Sequence, residues 1–166
     1  MTLPFLVGCG SSIHDAAAKG DIERIHALLQ GTPALVNARD LHGKTPLHFA
    51  AANMRGQAMA LLIDNGADLN AADETGMTPL HVAAFWGRTP EAARLLDAGA
   101  AIAARDAFGD TPLHTAALQG RLRTIHLLVA RDADIDAENH AGLTPRELAQ
   151  KHRNTDAADL LRDLDG

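Results

Sequence analysis

A four-residue phrase returns on a fixed beat: Thr45-Pro46-Leu47-His48, Thr78-Pro79-Leu80-His81, Thr111-Pro112-Leu113-His114 and an altered Thr144-Pro145-Arg146-Glu147. Successive threonines stand 33 residues apart. A chain with that period repeats one supersecondary unit, and each copy can bury its apolar face only against its neighbours. The chain is therefore expected to form an elongated stack suited to contact rather than a closed globule built for chemistry.

Each phrase starts a helix. Thr accepts a backbone N–H as the N-cap, Pro suits the first helical position because its missing N–H would be unpaired there, and Leu opens the buried stripe. Upstream stand Asp40-Leu41-His42-Gly43, Asp73-Glu74-Thr75-Gly76, Asp106-Ala107-Phe108-Gly109 and Asn139-His140-Ala141-Gly142. An Asp or Asn with Gly three places later reads as a β-turn, so a hairpin finger precedes each helix. The Asp side chains are expected to satisfy local N–H groups rather than to pair as catalytic carboxylates.

A second helix follows in each copy. Ile25/Leu28/Leu29, Met59/Leu62/Ile63, Ala92/Leu95/Leu96 and Ile125/Leu128/Val129 share one helical face, which must be core. Gly20, Gly87 and Gly120 close the first helix, where a left-handed residue suits glycine. The second unit has Met54 at that place and Gly56 two later, which predicts a distorted turn over Asn53 to Gly56.

The order of turn, Thr-Pro-Leu-His and Ala-Ala resembles the ankyrin repeat family, as do Gly66-Ala67-Asp68-Leu69-Asn70-Ala71 and Gly99-Ala100-Ala101-Ile102-Ala103-Ala104. The resemblance covers residues 11–166. It implies an all-α solenoid of helix-turn-helix repeats with projecting β-hairpin loops and a concave face that binds other proteins. It also implies that His14, His48, His81 and His114 bond the capping Thr and the hairpin backbone, a structural role.

About five repeats are expected, the two at the ends polar outside because nothing stacks on them. The divisions are a tail at 1–10, an N-terminal capping repeat at 11–39, repeats at 40–72, 73–105 and 106–138, and a C-terminal capping repeat at 139–166. In the first repeat Ser11 stands where the capping Thr belongs, and its exit carries one extra residue.

The tail contains Leu6-Val7-Gly8-Cys9, which looks like a bacterial lipobox and makes Cys9 a candidate for lipidation. A basic opening segment is missing and Pro4 interrupts the apolar stretch. Two locations stay open: the cytoplasm, or a lipid-anchored place in the bacterial periplasm. The lone cysteine fits both.

Charge and motifs narrow the function. A net charge of −6 with no run among 15 Lys and Arg argues against nucleic acid and mildly favours basic partners. No apolar stretch approaches the ~18 residues of a membrane span. No hydrolase elbow, phosphate loop, dinucleotide fingerprint, His-Glu-x-x-His or Cys-x-x-Cys appears, so no catalytic, cofactor or metal residue is assigned.

The expectation is a non-catalytic monomer that binds another protein as a scaffold or an inhibitor. The alternative is a ligand-binding or catalytic cleft without a recognisable motif. The family places contacts on hairpin tips and first-helix ends, which here are Leu41, His42, Lys44, Ala52 and Asn53; Glu74, Thr75, Met77, Phe85 and Trp86; Ala107, Phe108, Asp110, Leu118 and Gln119. Phe85 and Trp86 stand out, because only 3% of residues are aromatic. With Met77, Phe108 and Leu118 they are expected to form an apolar patch, while Phe49 and Val82 are expected in the core.

Overall fold

The computed structural model describes residues 12–165. Among these, ten α-helices stand in pairs, with one 3-10 helix and no strand. The pairs are α1 (Ile13–Lys19) with α2 (Ile22–Gly31), α3 (Pro46–Ala52) with α4 (Gly56–Asp64), α5 (Pro79–Trp86) with α6 (Thr89–Asp97), α7 (Pro112–Leu118) with α8 (Leu122–Val129), and α9 (Pro145–Lys151) with α10 (Thr155–Leu164). First helices pack α1 on α3 on α5 on α7 on α9, and second helices form a parallel row beside them. The molecule is an all-α ankyrin-type solenoid.

The short first helices owe their geometry to the repeated phrase. Thr78 and Thr111 accept the N–H of His81 and His114, and each imidazole reaches back to the cap. The Thr45 N–H donates to His48 Nδ1 at 3.0 Å, so the ring proton sits on Nε2, which donates to the Met77 carbonyl at 3.0 Å. His81 and His114 repeat the pattern onto the carbonyls of Asp110 and Leu143. One ring thus joins a helix start to the next hairpin. In the last repeat Glu147 replaces the imidazole, taking the N–H and hydroxyl of Thr144 on its Oε2.

The first repeat departs from expectation at its cap. Ser11 lies outside the described residues, and the cap is Ser12, whose hydroxyl accepts the Asp15 N–H at 3.2 Å. Helix α1 therefore starts one place later, and His14 stands at its second position instead of its third. From there the ring cannot close on the cap; its Nε2 contacts the Ala38 carbonyl at 2.9 Å. The extra exit residue is taken up by the 3-10 helix η1 (Pro33–Asn37), which buries Val36.

The turn at Asn53 to Gly56 is not distorted. Met54 adopts φ 57°, the conformation of Gly87 at 65° and Gly120 at 63°. The Arg55 N–H bonds the Ala50 carbonyl at 3.0 Å, as Arg88 bonds Ala83 and Arg121 bonds Ala116. Packing of α3 and α4 outweighs a local preference of about 1–2 kcal/mol against a left-handed methionine.

The fingers are turns rather than strands among the described residues, each stapled by its leading Asp or Asn. Asp40 Oδ1 accepts the N–H groups of His42 and Lys44, and Asp106 Oδ1 those of Phe108 and Asp110. Successive fingers are joined by single backbone bonds of 3.0 Å: Glu74 to His42, Ala107 to Thr75, and His140 to Phe108. The core threads between the helix rows, with Leu47, Leu80 and Leu113 from the first helices and Met59, Leu95 and Ile125 from the second fully buried.

Candidate functional site

A groove of about 460 Å³ lies between the second and third repeats. Its apolar lining is Phe49 and Ala52 from α3, Met77 from the finger, and Val82, Phe85 and Trp86 from α5. Lys44 and Asp73 stand at the finger end, and Asn53 and Arg88 at the helix-turn end. Trp86 is 50% exposed and meets Phe85 edge-on, with ring centroids 5.2 Å apart at 75°. Such an aromatic pair favours this edge-to-face geometry and holds the indole in place without burying it.

Two residues expected in the core, Val82 and Phe49, also line this groove. Val82 is buried and forms part of its floor. Phe49 is half-buried, T-stacked on His14 with centroids 5.5 Å apart. They face the groove because α3 and α5 lie side by side, so the residue after each histidine points toward the seam between repeats.

The other expected contact residues divide by position. Leu41 and Phe108 are finger-tip side chains, 92% and 70% exposed. His42 and Glu74 face one another across adjacent tips at 4.0 Å. Ala107 is exposed at the next tip, and Thr75 spends its hydroxyl on Asp73 Oδ1 at 2.6 Å. Asn53 donates its side-chain amide to the Phe49 carbonyl at 2.8 Å. Gln119 is half-buried at the end of α7.

Three expectations need correction. Phe108 and Leu118 do not line the groove with Phe85 and Trp86, because they belong to the fourth repeat, one step along the stack. Asp110 is buried, not offered to solvent: its Oδ1 accepts the Asn139 side-chain amide at 2.7 Å, and its carbonyl takes the His81 bond. It therefore ties one finger to the next.

A further set of side chains recurs with the repeat, and one of them, Arg88, lines the groove. The Nε–H groups of Arg55, Arg88 and Arg121 donate to the carbonyls of Ala18, Ala52 and Phe85, each at 3.0 Å. Asn154 takes the same role toward the Leu118 carbonyl. Each partner is an unpaired carbonyl in the last turn of a first helix, where the backbone dipole favours a cation. Their 33-residue spacing was open to view in the sequence, though which carbonyls they cap was not.

Burial governs the electrostatics of the repeated histidines, of which His48 lines the groove. Desolvation pushes the imidazoles of His48, His81 and His114 below their ordinary value, while the bonds to Met77, Asp110 and Leu143 oppose it. The rings are neutral donors to hairpin carbonyls, which suits scaffolding and leaves them no lone pair for a metal. Among the described residues no three His, Cys, Asp or Glu side chains converge as a metal-binding set, and no helix is long and apolar enough to cross a membrane. Cys9 lies outside the described residues.

A family model described as ankyrin repeats (3 copies) matches residues 13–106 and 91–166. The chain belongs to the ankyrin repeat family. It is similar to the human transient receptor potential cation channel subfamily A member 1, 44% identical over 59 residues that cover 34% of this chain and 5% of that protein. It is also similar to the target of rapamycin complex 2 subunit AVO2 of Saccharomyces cerevisiae, 40% identical over 55 residues, or 33% of this chain and 13% of that one. The chain thus spans only a small part of the length of these relatives.

Proposed function

We propose that this chain is a non-catalytic module that holds a partner protein in the groove between its second and third repeats, as a scaffold or an inhibitor. The observation that carries this is Trp86: half-exposed, braced by Phe85 and set at the lip of an apolar groove. Exposed apolar patches rimmed by polar groups mark protein interfaces, and tryptophan is enriched among residues that dominate binding. Membership of a family whose repeats generally mediate protein contacts supports the same reading. So does similarity to a named subunit of an assembly.

The test is affinity capture from the native source with wild-type and Trp86→Ala baits, followed by calorimetric titration of the captured protein. The substitution is expected to cost about 2 kcal/mol or more of affinity while the fold survives. Equal affinity of the two baits would show that the groove is not the docking surface.

A further inference from the structure

The groove is apolar in its floor, and the polar groups around it are not balanced in sign. Lys44 Nζ and Trp86 Nε1 make no hydrogen bond among the described residues. Arg88 uses Nε on the Ala52 carbonyl and sets Nη1 only against the Met54 sulfur at 3.5 Å. On the far side of Trp86 a smaller cleft of about 280 Å³ holds Arg121 and Arg123. Arg121 has its Nε on Phe85, and neither arginine has an ion pair among the described residues. The one carboxylate lining the groove, Asp73, is 8% exposed, and its Oδ1 is taken by three bonds from Thr75 and Met77.

Trp86 thus stands between cations on both sides, with donors open, while the nearby Asp73 carboxylate has one oxygen, Oδ1, engaged within its own finger. The body carries a net charge of −6, but charges farther than about 8 Å are screened at physiological salt, so the groove's own groups decide what it attracts. Arginine forks fit carboxylates in particular.

Resting on the groove as the docking surface, we infer that its partner is a polypeptide segment with a large apolar anchor flanked by Asp or Glu. The anchor fills the hollow between Phe49, Met77, Val82 and Phe85. The flanking carboxylates meet Lys44 at the finger end and Arg88, Arg121 and Arg123 beyond Trp86. This reverses at the groove the preference for basic partners that the overall charge suggests.

The test is fluorescence anisotropy with short labelled peptides that share one Leu/Phe core and differ only in flanks of Glu, Ser or Lys. The Glu-flanked peptide is expected to bind roughly tenfold tighter than the Ser-flanked one and to weaken as salt rises. Lys44→Glu combined with Arg123→Glu should erase that advantage while the Ser-flanked peptide binds as before. Circular dichroism confirms that each variant is folded. A Lys-flanked peptide that binds tightest, or a failure of every peptide to bind, overturns the inference. The reading of the groove as a docking surface survives either result if the captured native partner still depends on Trp86. Tighter binding of a single-stranded oligothymidylate than of any peptide overturns the inference by changing the class of partner. Wild-type dimers in sedimentation that Trp86→Ala dissolves would assign the groove to a second copy of the chain and overturn both.

Discussion

The Arg121 guanidinium lies with its Nε 3.0 Å from the carbonyl oxygen of Phe85, one repeat earlier in the stack. The contact closes the C-terminal end of α5 next to Trp86, and its stem lies against Gly87, where an added Cβ would approach Arg121 Cδ to 2.9 Å. A charged donor on a helix-end carbonyl stabilises more than a neutral bond does. Arg121→Met keeps the stem and removes the donor. It is expected to lower unfolding stability in urea by about 1–2 kcal/mol, and an unchanged midpoint would show the bond to be decorative.

Met54 is the stabilising target. It holds a left-handed backbone where the third and fourth repeats have Gly87 and Gly120. Met54→Gly should raise stability by about 1 kcal/mol, because glycine adopts that conformation without strain. The reverse change, Gly87→Met, should destabilise by more, since it adds strain and drives a side chain into Arg121. Denaturant midpoints of the two variants should move in opposite directions.

The buried imidazoles make stability pH-dependent, and the sign follows from their depressed values. The unfolded chain takes up protons near the ordinary 6.5, whereas His48, His81 and His114 resist protonation until lower pH. Their contribution is complete above about pH 6.5 and is lost as pH falls through the depressed values, because protonation destroys the Nδ1 acceptor. Thermal melts should be flat in this respect above neutrality and decline below it. His81→Gln should melt lower at neutral pH and show a shallower decline in acid; an unaltered slope would remove the ring from this account.

Glu91 is a locally unfavourable choice. It is 5% exposed, and its Oε2 has no hydrogen-bond partner. The same place in the flanking second helices holds Ala58 and Thr124, and Ala157 in the last. A buried oxygen without a bond costs about 1–3 kcal/mol. Glu91→Ala is accordingly expected to keep or raise stability, by up to about 1 kcal/mol after the lost packing of its stem. A marked loss in calorimetry would mean that the carboxylate has a role in the fold.

Local chemistry is what the amino-acid order determined unaided. The Thr-Pro pair starts the first helix of each later repeat, Asp or Asn with Gly shapes each finger, and the 33-residue beat demands stacking, since all three act within a few residues or through a strict period. The same logic extended wrongly to the first cap, which is Ser12 rather than Ser11, and to the Met54 turn, where helix packing overrode a local preference. Only the stacked structure decided which side chains meet across a seam. It placed Phe49 and Val82 in the groove, turned Asp110 inward onto Asn139, separated Phe108 and Leu118 from Trp86, and set arginines on carbonyls one repeat away. Those outcomes depend on the offset between adjacent repeats, which is held by contacts such as the His48–Met77 and Arg55–Ala18 hydrogen bonds, between residues 29 and 37 places apart along the chain, a distance at which no local propensity acts.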